Sequence, residues 1–237
     1  MRTLLFVFTL IFAGSVMAQS PMASRSFGEA TRFANAGEFE KALKGYRLTL
    51  MAADGETGEF AVRIHYNLGV CHYRLGRLKA AASEFTTAIQ LAKGRHHRAF
   101  YALGMTESAL ENWPAARTAF LNALEINPAD GEAWFDLAFV YLAERDYDDT
   151  AKAFRKAIEN KSVDSALGHN NIGVIMAIKS DLAGAEKEFE AALIESGGRL
   201  IEARKNLEFC RALSVRRMGL VGKVEFSLGG RVLQSLL

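Results

Sequence analysis

The stretch NLGVCHYRLGRLKAAASEFTTAIQL, residues 67–91, is echoed by ALGMTESALENWPAARTAFLNALEINP, residues 102–128. Each holds a Leu-Gly pair (Leu68-Gly69, Leu103-Gly104), then a small residue with an aromatic one four positions later (Ala81 and Phe85, Ala116 and Phe120). The layout extends in both directions. Ala42 and Tyr46 precede it; Thr150 and Phe154, then Ala185 and Phe189, follow it. The aromatic members stand 39, 35, 34 and 35 residues apart. Another small residue lies three past each: Thr49, Ala88, Ala123, Ala157 and Ala192. Leu137-Ala138 and Ile172-Gly173 continue the Leu-Gly series in phase. Five copies of a period near 34 mark a solenoid and outrank any local reading.

One copy shows the physics. In residues 98–127, Ala99, Leu103, Glu107 and Leu110 give a first helix a mixed face. Asn112-Trp113-Pro114 breaks it, and Pro114 suits the first turn of a second helix, where no amide donor is needed. Ala116, Phe120, Ala123 and Leu124 then form one stripe. Asn127-Pro128 ends the helix, because the residue before proline avoids helical angles. Gly104 has no turn to make in mid-helix, where glycine costs about 1 kcal/mol relative to alanine. Its return at Gly69 and Gly173 therefore predicts two helices crossing closely, with a large side chain of the partner over the gap.

At these residues the chain resembles the tetratricopeptide repeat (TPR) family. The copy WFDLAFVYLAERDYDDTAKAFRKAIE, from Trp134, fills the family's tryptophan and tyrosine places with Trp134 and Tyr141. A further copy runs from His169 to Glu195. The one at Ser24–Met51 is the loosest and lacks the Leu-Gly pair. The resemblance implies an all-α fold: a right-handed solenoid of five helix pairs plus a C-terminal capping helix. Repeats are expected at 25–56, 62–95, 97–130, 131–164 and 166–198, after a short linker at 19–24. A capping helix is expected at 199–214, carrying Leu200, Ala203, Leu207, Cys210 and Leu213. The polar, two-glycine stretch between Met51 and Phe60 accounts for the long 39-residue spacing.

Residues 1–18 read separately from the fold. A basic start with Arg2, an apolar run from Leu4 to Phe12, and small residues at Val16 and Ala18 form the layout of a secretory signal peptide, cut between Ala18 and Gln19. The run is too short for a comfortable span of ~20 residues. An uncleaved N-terminal anchor is the other reading. No cysteine lies near the cut, so a lipid anchor of the bacterial lipoprotein kind is not available. The short leader has a bacterial look, which places the mature chain in the periplasm or outside the cell, with no transmembrane helix.

Composition is that of an ordinary globular chain of 237 residues, 50% apolar and 24% charged. The net charge of +2 gives no support for a nucleic-acid binder. Two cysteines cannot form a disulfide scaffold. Cys71 and Cys210 follow Leu68 and Leu207 by three, where Thr106, Val140 and Ile175 stand in other copies, so buried thiols are expected. His65, His72 and His169 occupy large-residue places of first helices and read as packing residues. His96-His97 lies in a turn between repeats without further ligands at metal spacing. Asp146, Asp148 and Asp149 lack the glycine and distal glutamate of a calcium loop and suit the start of a helix. No phosphate loop, HExxH, CxxC or Ser-His-Asp order occurs. The chain reads as no enzyme, with no cofactor and no metal.

The resemblance also implies that first helices line a concave groove. Its candidate partner-binding residues are Arg63, Tyr66, Asn67, Val70 and Tyr73; Arg98, Tyr101 and Met105; Phe135 and Phe139; Asn170; and Lys205. Aromatic and aliphatic residues dominate, so an apolar extended or helical segment is the expected ligand. Some TPR proteins clamp a partner's terminal carboxylate with Lys, Arg and Asn. Arg63, Asn67 and Arg98 match that in part, whereas Phe135, Asp136 and Phe139 do not. The bland alternative is that the row packs on neighbouring repeats.

Residues 199–237 carry eight basic and three acidic side chains, so a basic end follows a body, residues 19–198, of net charge −4. The tail, 215–237, alternates at Val224, Phe226 and Leu228 and ends apolar. The basic end is either solvated or a peripheral contact to a membrane or an acidic partner, and the tail is expected to dock, on the last repeat's face or into a partner, in place of staying disordered. The reading is an exported adaptor or scaffold holding a protein or peptide partner, in cell-envelope assembly and without nucleic acid. The alternative is a structural part of an envelope machine for pili, secretion or wall synthesis. A remote third is a hydrolase using His96, His97 or His169.

Overall fold

A computed structural model describes residues 21–53, 58–161 and 164–216; the leader and most of the tail read above lie outside them. Eleven helices and no strand occur among the described residues. They are α1 (Pro21–Asn35), α2 (Phe39–Ala52), α3 (Glu59–Arg74), α4 (Leu78–Leu91), α5 (His97–Ala109), α6 (Trp113–Ile126), α7 (Gly131–Ala143), α8 (Tyr147–Glu159), α9 (Ser165–Ile178), α10 (Leu182–Glu195) and α11 (Ile201–Arg216). The chain divides into two compact units, one holding α1 and α2, the other α3 to α11. The described part of the first helix includes Pro21–Ser24, residues expected in the linker.

The two helices of every pair are joined by a three-residue turn built in one way. Gly37, Gly76, Glu111, Arg145 and Ser180 each take a left-handed φ, between 58° and 78°. The following amide then reaches back to the last turn of the first helix: Arg77 N–H to His72 O at 2.9 Å, Asn112 to Glu107 at 2.9 Å, Asp146 to Tyr141 at 2.8 Å. That closure satisfies carbonyls a helix end would otherwise leave open. Three of the five turns make it with a side chain other than glycine, which costs about 1–2 kcal/mol per residue.

The close crossing expected at the mid-helix glycines is present. A Cβ built on Gly104 would stand 2.8 Å from the Phe120 ring, and on Gly69 or Gly173 2.6 Å from Phe85 or Phe189. Those rings are at most 1% exposed. The first pair reaches the same end by exchanging sides. Ala30 takes the glycine place on α1, and Gly45 on α2 makes room for it. Its aromatic is Tyr46, whose buried hydroxyl lies 3.1 Å from Thr31 Oγ1. The flanking residues Ala81, Ala88, Ala116, Ala123, Ala157, Ala185 and Ala192 are fully buried.

Helix α11 closes the second unit. Leu207 and Cys210 pack into a cluster with Val174, Ala177, Ala185 and Phe189. Ile201, Arg204, Lys205, Glu208 and Ala212 remain exposed. A polar outer face on the last helix is what a solenoid end requires.

Candidate functional site

Within the second unit, α3 touches α5, α5 touches α7, and α9 touches α11, so the odd helices share one layer. The residues of the proposed groove sit on these helices, at repeating positions. One row reads Tyr66, Tyr101, Phe135, Asn170 and Lys205; the next reads Asn67, Ala102, Asp136, Asn171 and Asn206.

The row is open on α3 and α5, closes at Asn170 on α9 and is open again at Lys205 on α11. Arg63 and Arg98 are exposed, as is Lys205 on α11. Tyr66, Asn67, Val70, Tyr73, Tyr101, Met105 and Phe135 are half-buried. Phe139 and Asn170 depart from the expectation: they are 6% and 0% exposed. Phe139 completes a triangle of rings with Phe135 and Phe154, with centroids 5.3–5.4 Å apart in edge-on contacts. Asn170 accepts from Asn206 Nδ2 at 2.9 Å and donates toward Asn171 Oδ1 at 3.3 Å. Both are covered by side chains of matching chemistry from other helices, Phe154 of α8 for Phe139 and Asn206 of α11 for Asn170.

Tyr101 is tied from one repeat to the next. Its hydroxyl donates to Asp136 Oδ2 at 2.7 Å, and its ring packs edge-on against Phe120. Burial, then the Asp136 charge and hydrogen bond, then Glu132 and Asp130, hold the phenol far above its ordinary range. Tyr66 lies against Phe85 at 5.8 Å and is stacked on His96 at 5.4 Å. Burial raises its phenol, and the nearby Arg98 charge partly offsets that.

The histidines are absorbed by structure. His96 Nδ1 accepts from Ala99 N–H at 3.0 Å and caps α5, the place that Asp130 and Asp164 fill for α7 and α9. His97 Nε2 lies 2.9 Å from Asp130 Oδ2. His65 and His169 each meet a glutamate at 2.7 Å, Glu84 and Glu188. His72 is buried at 5% exposure. Both cysteines are buried and free, and burial pushes the Cys71 thiol up to about 11. Asp146 caps α8, while Asp148 and Asp149 pair with Lys179 and Lys152. Among the described residues, no group of three or more His, Cys, Asp and Glu could hold a metal ion. No described helix is long and apolar enough to cross a membrane.

Sequence reasoning missed the pairs His65–Glu84, His169–Glu188 and Tyr101–Asp136. Their signal was present as fixed offsets of 19, 19 and 35 residues.

The repeat geometry matches a known sequence profile: the tetratricopeptide repeat family aligns with residues 27–96, 101–165 and 140–199. The chain belongs to the tetratricopeptide repeat family. This TPR chain is similar in fold to MamA from Desulfovibrio magneticus, at 18% identity and TM-score 0.68, over 77% of this chain and 99% of that one. It is also similar to a tetratricopeptide repeat protein from Parabacteroides merdae, at 20% identity and TM-score 0.70, over 84% and 77%. A third similar structure is YrrB, described as a TPR protein with an unusual peptide-binding site, at 23% identity and TM-score 0.65, over 77% and 92%. No curated protein matches the TPR chain in sequence. At these identities the likeness concerns the fold, and a TPR fold by itself names no partner.

Proposed function

We propose that this TPR protein is an exported adaptor that holds a peptide or protein partner on the odd-helix face of α3 and α5, within cell-envelope assembly. One observation carries the reading. The residues Arg63, Tyr66, Asn67, Val70, Tyr73, Arg98, Tyr101 and Met105 stay reachable by solvent, whereas on α7 and α9 the places equivalent to Val70 and Tyr73 are sealed, being held by Phe139, Leu142, Val174 and Ala177. Half-exposed tyrosines beside arginines are the residue types that anchor partners, since they add contact area at small entropic cost. The peptide-binding site described for YrrB supports the use of such a fold in this way. The export part of the proposal rests on residues 1–18 of the sequence.

The test is crosslinking in the native organism, with photoreactive residues placed at Tyr66 and Tyr73 and, as a control, at Ile194 on α10. Adducts are expected from the first two positions only. Tyr66→Ala and Tyr73→Ala should each weaken partner binding by ~2 kcal/mol. Equal labelling at Ile194, with unchanged affinity in both variants, would move the site off this face.

A further inference from the structure

Resting on the partner reading above, the charges along the odd helices specify the partner further. Arg63, Arg98 and Glu132 occupy the same place in three successive repeats, 35 and 34 residues apart, and all three are exposed. The sign of this row therefore reverses between α5 and α7. Beside the reversal, the neighbouring row places Asp136 under Tyr101. The carboxylates of Asp136, Glu132 and Asp130 all act on the Tyr101 hydroxyl, while the Arg98 charge acts on Tyr66.

Helix-end electrostatics do not account for the change of sign between Arg98 and Glu132. Arg98 stands in the first turn of α5, where the helix dipole disfavours a cation. Glu132, in the first turn of α7, suits the dipole, so the two places would both be acidic if helix stability alone chose them. One helical turn further along the same helices runs the parallel, half-buried row of Tyr66, Tyr101 and Phe135, with Met105 one turn beyond Tyr101.

We infer that the face takes an extended bipolar segment, with acidic side chains over Arg63 and Arg98, a basic side chain over Glu132, and the apolar side chains that separate them in its sequence lying on the parallel row of Tyr66, Tyr101 and Phe135. Packed helices lie about 8–10 Å apart, and an extended chain advances ~3.3–3.6 Å per residue. Roughly three ligand residues therefore cross each repeat, and the acidic and basic groups stand about three to six residues apart.

The experiment uses the full chain and four short capped peptides sharing the centre Ala-Phe-Leu-Ala. They are flanked by Asp-Asp and Lys-Lys, by Asp-Asp on both sides, by Lys-Lys on both sides, or by Ser-Ser on both sides. Fluorescence anisotropy at low salt should show the bipolar peptide binding about tenfold or more tightly than the other three. Glu132→Arg makes the row uniformly cationic and should invert the order, so that the doubly acidic peptide becomes the tightest ligand. A misfolded variant cannot produce that inversion. Equal binding of all four peptides, each weakened by Tyr66→Ala, would overturn the charge order while leaving the partner face intact. Binding by none would overturn the bipolar ligand, and the crosslinking experiment would then judge the partner face independently.

Discussion

His65 and His169 stand at one position of their repeats, and each meets a glutamate 19 residues further on. In the two copies between them the same pairs are Phe100 with Ala119 and Trp134 with Ala153. A large apolar ring needs only a small neighbour, whereas an imidazole at a half-buried place needs an acceptor. Both exchanges preserve packing, and the one at His169 also changes pH behaviour. The hydrogen bond to Glu188, outweighing desolvation, raises His169 above its ordinary 6.5. Its stabilising contribution is full below about pH 6.5 and is lost as pH rises through the folded-state value. His96 has the opposite sign: desolvation lowers it, and its cap on α5 uses the neutral ring. That contribution is present above about pH 6.5 and fades as pH falls toward the lowered value. Glu188→Gln should lower the melting temperature by a few degrees near about pH 6 and by less near about pH 9. A difference independent of pH would show that the ion pair contributes nothing beyond packing.

A pair of helices is held by an aromatic ring resting on a gap. Gly104 is required because Phe120 occupies the space a side chain would need. Gly104→Leu should destabilise by about 1–3 kcal/mol through overpacking. The loss in the double variant with Phe120→Leu should fall short of the sum of the singles, since the two residues share one space. Urea unfolding measures both. A single-variant change within about 0.5 kcal/mol would mean that α5 and α6 can separate there without cost. The turns show a different economy. The Gly76 turn is open around its missing side chain, so its glycine serves backbone angle alone, while Gly104 serves packing alone.

Across the second unit, stability passes between neighbouring repeats, and α11 supplies the last neighbour. A chain ending at Gly198 would uncover Val174, Ala185 and Phe189 and remove the Asn206 donor from Asn170. It should melt at lower temperature and bind a hydrophobic dye; an unchanged melting curve with no dye binding would show that α11 is not a cap. The repeats and their helix pairs were legible in the chain, because the ring and the gap it fills recur within about 16 residues at Gly69 and Phe85, Gly104 and Phe120, Gly173 and Phe189. Such local pairs impose the same helical packing wherever they return. The loose first copy was legible in spacing but not in mechanism, since the Ala30–Gly45 exchange reverses which helix carries the gap. The groove was legible as a row of positions and not as a surface. Whether Phe139 or Tyr73 meets solvent depends on side chains contributed by other helices, such as Phe154 beside Phe139 and Asn206 beside Asn170. A repeat period determines which residues share a row. The sizes and polar groups brought against that row from neighbouring repeats determine which of them remain open, and only the folded chain brings those groups together.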